Sequence, residues 1–224
     1  MPSLGKVMIV YEPSEKRVKN FKDVKETIHD LKFFPAIDTI NREKYEQYIQ
    51  QGLDDQSHTQ QFIDDTRHVT GKIGCNMSHI YVLIDFLNSE DDWLLVLEDD
   101  IFVENYNEKQ LNELVDFAKQ KDSHYIQLYT NKWHFLGQQL EAEKVGENIY
   151  KMIHQWHTCA YLISRNGAQR TLAHLPFSDP IDHIYGILIS ELNSLCYIND
   201  IFIYKGIMNY NHTESELGSI ILDR

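Results

Sequence analysis

Trp93-Leu94-Leu95-Val96-Leu97-Glu98-Asp99-Asp100-Ile101-Phe102 is the stretch from which the rest of the chain is read. Five apolar residues run without alternation, three carboxylates follow, and apolar residues resume. So short an unbroken apolar run reads as a strand covered on both faces, inside a parallel or mixed sheet. The carboxylates then stand where a buried strand ends, the edge at which open α/β sheets bind ligands. Adjacent negative charges beside a core repel one another, and desolvating them costs on the order of several kcal/mol unless a cation joins them. A hard divalent ion such as Mg²⁺ or Mn²⁺ meets that need, because it prefers carboxylate and phosphate oxygens. A solvated acidic turn is the plainer competing reading. On an extended strand Glu98 and Asp100, two residues apart, share a face, and Asp99 points the other way. There it either meets a ligand or stabilises the turn.

Outward from this stretch, strands and helices alternate. Val7-Met8-Ile9-Val10 is a second unbroken apolar run and reads as another central strand. Ser14 can cap a helix from Glu15 to about residue 25 with Arg17 in its first turn. A strand is expected over 31–37, opening into Asp38, and a polar helix over 41–51. Residues 51–70 are polar and without a period, which suggests a mobile loop. A helix over 76–87 carries Ile80, Leu83, Ile84 and Leu87 on one face. Asn107 with Gln110 resembles a capping box before the stripe Leu111, Leu114, Val115 and Ala118. Strands are expected over 124–129, 149–153 and 160–163. Ser164 or Asn166 starts a helix, Pro180-Ile181-Asp182-His183 opens another, and a late β segment covers 195–203. Helices alternating early and β segments dominating late predict one α/β domain over 1–224 with a mixed sheet.

The bulk properties narrow the function classes. A formal net charge of −13 argues against a broad basic face for nucleic acid and against adsorption to anionic membranes. No run approaches the about 18 consecutive apolar residues of a membrane span. The N-terminus lacks the long apolar core of a signal peptide. Cys75, Cys159 and Cys196 have no metal-ligand spacing and apolar neighbours, so buried thiols and a reducing, cytoplasmic setting are expected.

Several pieces, in order, resemble glycosyltransferase family 25, which includes lipopolysaccharide glycosyltransferases and collagen galactosyltransferases. They are Glu15-Lys16-Arg17 after the first strand, Phe34-Pro35-Ala36-Ile37-Asp38, and Gly71-x-Ile73-Gly74-Cys75-x-x-Ser78-His79. Leu97-Glu98-Asp99-Asp100, Ala160-Tyr161-Leu162-Ile163-Ser164-x-x-Gly167-Ala168 and Pro180-Ile181-Asp182-His183 follow. Two departures stand out. Lys72 occupies a place where the family usually has Glu, and Asn41 follows Asp38-Thr39-Ile40 without the expected Gly. The resemblance implies a GT-A-like fold, the nucleotide-diphospho-sugar transferase architecture of a mixed central sheet flanked by helices. It also implies inverting transfer from a nucleotide-activated sugar, usually a UDP-sugar. The acidic triplet would be its Asp-x-Asp-like site for Mn²⁺ or Mg²⁺, with Asp100 the main ligand and Glu98 close to the metal or ribose. The acceptor would be a hydroxyl of a glycan, a glycolipid or lipooligosaccharide, or hydroxylysine.

Such a reaction assigns roles to further residues. An inverting transfer needs a base on the acceptor side. Asp182, at a helix start, is the choice, with Asp179 and Asp38 as runners-up; a helix-capping role competes for Asp182. Asp38 fits the nucleotide side better. Tyr11 and Arg17 lie where the first strand ends, a natural place for base and phosphate, although a surface ion pair is the commoner fate of a helix Arg. Ser78-His79 reads as structural support behind the acidic strand. His212, in a polar tail, is a candidate to complete the metal shell, as a C-terminal His often does in GT-A enzymes. Two other readings compete: a metal-dependent phosphoesterase on the same carboxylates, and a non-catalytic carbohydrate-binding module using Trp133 and Trp156.

Overall fold

The structure is a computed structural model and describes residues 3–38, 50, 66–128, 142–153, 157–177, 179–198 and 201–204. The first apolar run forms β1 (Leu4–Val10), which leads into α1 (Glu15–Thr27) and β2 (Lys32–Pro35). A 22-residue helix, α2 (Thr66–Leu87), precedes β3 (Trp93–Glu98) and β4 (Ile101–Val103). Then come α3 (Glu108–Gln120), β5 (Tyr125–Gln127), β6 (Lys144–Gly146), β7 (Ile149–Lys151) and β8 (Ala160–Ser164). The last elements are α4 (Arg165–Leu172), α5 (Ile181–Ile187), β9 (Leu195–Tyr197) and β10 (Phe202–Tyr204).

Eight strands form one mixed sheet in the order β2-β1-β3-β8-β5-β9-β7-β6. β1 pairs in parallel with both β2 and β3, while β8 is antiparallel to β3 and β5. β4 and β10 make a separate antiparallel pair. The unbroken run of β3 is explained by this position: it has neighbours on both edges and helices over both faces. Met8, Val10, Leu95, Leu97, Ala160 and Leu162 pack with residues of α1 and α3. Val7, Ile9, Leu94, Val96, Tyr161 and Ile163 pack with residues of α2, α4 and α5. The period-2 alternation of strand side chains thus feeds two separate cores. This architecture is compatible with the GT-A-like expectation.

Local signals account for most helix starts. Ser14 caps α1 by accepting from the Arg17 backbone N–H, and Ser164 caps α4 by accepting from that of Gly167. Asn107 caps α3, accepting from the Lys109 N–H at 3.0 Å, but the expected capping-box partner Gln110 instead donates to the Tyr197 hydroxyl at 2.6 Å. Two expected elements change shape. The helix expected from residue 76 begins ten residues earlier, at Thr66, and takes in the end of the expected loop. The rest of that loop and, apart from residue 50, the helix expected over 41–51 lie outside the described residues. The late β segment is two strands in different sheets, because β9 continues the large sheet while β10 leaves it to pair with β4.

Candidate functional site

The acidic triplet is split by the end of β3. Glu98 is the last residue of the strand, and Asp99 and Asp100 form the turn into β4. Asp99 faces α1. One of its carboxylate oxygens pairs with the buried Arg17 guanidinium, and the other accepts from the Tyr11 backbone N–H at 2.7 Å. Asn20 of α1 donates to the backbone oxygens of Asp99 (3.0 Å) and Ile101 (2.8 Å). Arg17 is therefore no surface residue. With Asn20 it locks the turn to the first helix, and Asp99 is the turn-stabilising member of the triplet.

Glu98 faces the other core. Its Oε1 accepts from the Thr158 hydroxyl at 2.7 Å and lies 3.1 Å from His79 Nε2. Burial alone would raise its pKa, but the hydrogen bonds from His79 and Thr158 hold it below the ordinary carboxylate value. Asp100 has no such help. It is 9% exposed, and no described residue donates a hydrogen bond to its buried Oδ1. Burial, and then repulsion from Glu98, push its pKa up to about 7, against the opposing field of Arg17. Glu98, Asp100 and Cys159 bring potential ligand atoms within 4.8 Å of one another.

This donor set fits a hard divalent cation. Two carboxylates converge, one holds a buried oxygen without a donor, and a positive ion would remove the repulsion that lifts Asp100. The soft thiol is the poorest match to such an ion, which prefers oxygen ligands; burial, with Glu98, Asp100 and Cys75 adding, pushes Cys159 well above its usual value. The neighbouring group Cys75, His79 and Glu98 is equally compact. It fits an ion poorly, because His79 already spends both ring nitrogens, on Glu98 and on Tyr161 (2.8 Å).

Asp182 approaches from α5. Pro180 precedes the helix and makes no side-chain cap. The capping role expected of Asp182 is largely taken by Asn76 of α2, 6% exposed, whose side chain accepts from the Ile181 N–H at 2.7 Å and donates to the Asp179 carbonyl at 2.9 Å. Asp182 Oδ1 makes one local contact, with the His183 N–H at 3.0 Å. Asp182 lies within electrostatic reach of the same thiol as the carboxylates of the tip: burial pushes the Cys75 thiol well above its ordinary value, with Glu98, Asp182 and Asp100 adding in that order.

Tyr11, Arg17 and Asp38 lie within electrostatic reach of one another. Burial and then Asp38 raise the Tyr11 hydroxyl, with Arg17 opposing. Ser78 donates to the Gly74 carbonyl (2.6 Å) and accepts from the Ile37 N–H (2.9 Å), so α2 also fixes the approach to Asp38. His212, Trp133 and Trp156 lie outside the described residues. Thr158, Asn76 and Cys75 were not singled out as site residues from the sequence. The break Thr158-Cys159 just before an apolar strand was the available signal for Thr158. Once that strand is antiparallel to β3, with Ala160 opposite Leu97, Thr158 must lie at the acidic tip.

Known proteins resemble this chain over the same ground. The family model described as "Glycosyltransferase family 25 (LPS biosynthesis protein)" matches residues 8–185. A protein of Aedes aegypti called "Glycosyltransferase 25 family member" is 27% identical over 193 residues, 83% of this chain and 30% of its own length. Human "Procollagen galactosyltransferase 2" is 29% identical over 126 residues, 54% of this chain and 20% of its own length. A "Putative glycosyltransferase" of Haemophilus influenzae is 31% identical over 122 residues, 54% of this chain and 42% of its own length. The chain therefore spans less than half the length of each of these relatives.

Proposed function

The chain belongs to glycosyltransferase family 25, and from that premise we propose that it moves a hexose, such as galactose or glucose, from a UDP-sugar to an acceptor hydroxyl. The reading includes inversion at the transferred carbon and dependence on a divalent metal. The observation that carries it is the pairing of half-buried Glu98 with buried Asp100 at the end of β3, with the Asp100 oxygen that no described residue satisfies. Glu98 and Asp100 would hold Mn²⁺ or Mg²⁺, with His212 proposed to complete the shell. When bound, the metal neutralises the charge that grows on the departing diphosphate.

The chain's own groups do the rest. Arg17 and Asp99 hold the Tyr11 backbone and the β3–β4 turn in one position. Tyr11 and Asp38 then offer a rigid edge for the nucleotide. Asp182, held against α2 through Asn76, takes the proton from the attacking hydroxyl. Its separate attachment on α5 would let base and diphosphate groups act from opposite faces of the transferred carbon.

The galactosyltransferase name of the human relative favours galactose as the transferred sugar. The model's description favours a saccharide acceptor, and the procollagen name a hydroxylysine. A panel of UDP-sugars, each with a glycan, a lipooligosaccharide or a hydroxylysine peptide, distinguishes them by UDP release with and without Mn²⁺. The expected result is acceptor-dependent UDP release that EDTA abolishes and Asp100→Asn does not support. Equal release in EDTA, or no release from any donor, overturns the proposal.

A further inference from the structure

We propose that His79 is the positioning residue that aims Glu98 at its cation, and that Tyr161 sets the histidine tautomer needed to do so. The inference rests on the reading of Glu98 and Asp100 as metal carboxylates. Three buried groups lie in sequence behind the half-buried Glu98. The Tyr185 hydroxyl donates to that of Tyr161 at 3.4 Å, Tyr161 lies 2.8 Å from His79 Nδ1, and His79 Nε2 lies 3.1 Å from Glu98 Oε1. His79 and Tyr161 are fully buried and Tyr185 nearly so.

The donor order follows from the chemistry of each group. The ionised Glu98 carboxylate can only accept, so the ring hydrogen of His79 faces it from Nε2, and Nδ1 is left to accept from the Tyr161 hydroxyl. Burial, with Tyr185 adding, keeps the Tyr161 phenol far from ionising, so it remains a donor. With Nδ1 accepting, the ring hydrogen sits on Nε2 and points at Glu98. A histidine in the other tautomer would set a lone pair against a carboxylate oxygen, which is repulsive.

The ring cannot swing away to avoid this. It stacks on Tyr161 with centroids 5.7 Å apart, and Tyr161 in turn packs on Tyr125 and Tyr185 at 5.2 and 5.4 Å. Thr158 donates to the same Oε1, and no described residue donates to Oε2. Two donors on one oxygen fix the carboxylate plane and leave the other oxygen to meet a cation beside Asp100. Outer partners of metal carboxylates and histidines commonly act in this way. A histidine that only filled the core would need neither the donor to Glu98 nor a fixed tautomer.

The test is Mn²⁺ affinity of the EDTA-stripped chain, with UDP absent and then saturating, read from the electron paramagnetic resonance of the free ion. Donor turnover and Tm are measured on the same preparations. His79→Phe should weaken Mn²⁺ by about ten- to a hundredfold, the usual loss on removing such a partner. His79→Gln, whose amide N–H can replace Nε2–H, should recover most of that affinity. Tyr161→Phe should fall between the two, because it frees the tautomer without removing the ring. If wild type turns over donor with Mn²⁺ while His79→Phe and Tyr161→Phe bind the ion as wild type does, the positioning role is overturned and the proposed function stands. If wild type itself binds no Mn²⁺, the metal reading fails first and this inference falls with it. Should His79→Phe not fold, His79→Gln against Tyr161→Phe decides: unchanged affinity in Tyr161→Phe overturns the role.

Discussion

At the residue scale, Asp100 carries a cost that the metal-free protein cannot avoid. Its folded pKa of about 7 lies well above the ordinary aspartate value of 3.8. A carboxyl raised on folding contributes stability that is fully present below the unfolded value and is lost as pH rises through the folded one. In EDTA, the stability of the wild type should therefore fall between about pH 4 and pH 7 by a few kcal/mol, at about 1.4 kcal/mol per pKa unit. Glu98 is shifted the other way, so its contribution is lost only toward acid and leaves that window clear. Asp100→Asn should flatten the fall and unfold at higher temperature than wild type at pH 8. Added Mn²⁺ should stabilise only the wild type. Thermal unfolding from pH 4 to 8, with EDTA and then Mn²⁺, checks this; an unchanged slope in the Asn variant refutes the assignment. The triplet itself was legible from the sequence because an apolar run ending in acids has few structural explanations. The division of labour within it was half legible: strand alternation separates Asp99 from Glu98 and Asp100, but nothing local shows that Arg17 waits on the Asp99 side. Asn76, Thr158 and Cys75 were not singled out, because each owes its place to pairings across 60 or more residues or to a helix whose start was misjudged.

Helices and strands tell a similar story at the next scale. The unbroken apolar runs of β1, β3 and β8 and the helical stripe of α3 are readable from sequence. The start of α2 is not, since Gly71 and Gly74 each cost a helix up to about 1 kcal/mol and no cap announces Thr66. Burial of Ile73, Met77, Ile80, Leu83 and Phe86 against the sheet outweighs that cost. Glycine has the opposite meaning in α4. A Cβ on Gly167 would lie 2.6 Å from the His124 carbonyl oxygen and 3.0 Å from the Ile163 side chain. The backbone of α4 must approach β5 and β8 this closely, because Gly167 N–H donates to Ser164 and the Ser164 N–H donates to His124. Gly167→Ala should therefore destabilise the chain by about 1–3 kcal/mol, the cost of overpacking. Propensity alone predicts the reverse, a gain of about 1 kcal/mol. Urea unfolding decides the sign, and a gain in midpoint would mean that α4 can move outward freely.

At the scale of the whole molecule, the site exists only where three distant segments meet. β3 brings the acidic tip, α2 brings Cys75, Asn76 and His79 across the sheet face, and α5 arrives near the end of the described chain with Asp182. This separation assigns different kinetic signatures to the residues it brings together. In the proposed reaction the tip acts on the diphosphate, whereas Asp182 acts on the acceptor hydroxyl. Asp182→Asn keeps the side-chain size and the oxygen that accepts from the His183 N–H, so stability should change little. The Asn76 contacts that hold α5 use the backbone of Asp179 and Ile181, and they survive the substitution. Donor and Mn²⁺ affinity should persist, because neither ligand is bound through this group. The transfer rate should fall by about two to four orders of magnitude, the usual worth of a positioned general base. With donor and acceptor saturating, the loss should appear in kcat and leave the donor KM near wild type. Asp100→Asn should do the reverse to the metal, weakening Mn²⁺ along with turnover. Calorimetric donor binding and transfer kinetics on one preparation of the Asp182→Asn variant separate the outcomes. Near-normal kcat removes Asp182 from the mechanism, and lost donor binding moves it to the nucleotide side. A lower Tm with normal kcat per folded molecule would leave it only the first-turn contact it makes in α5.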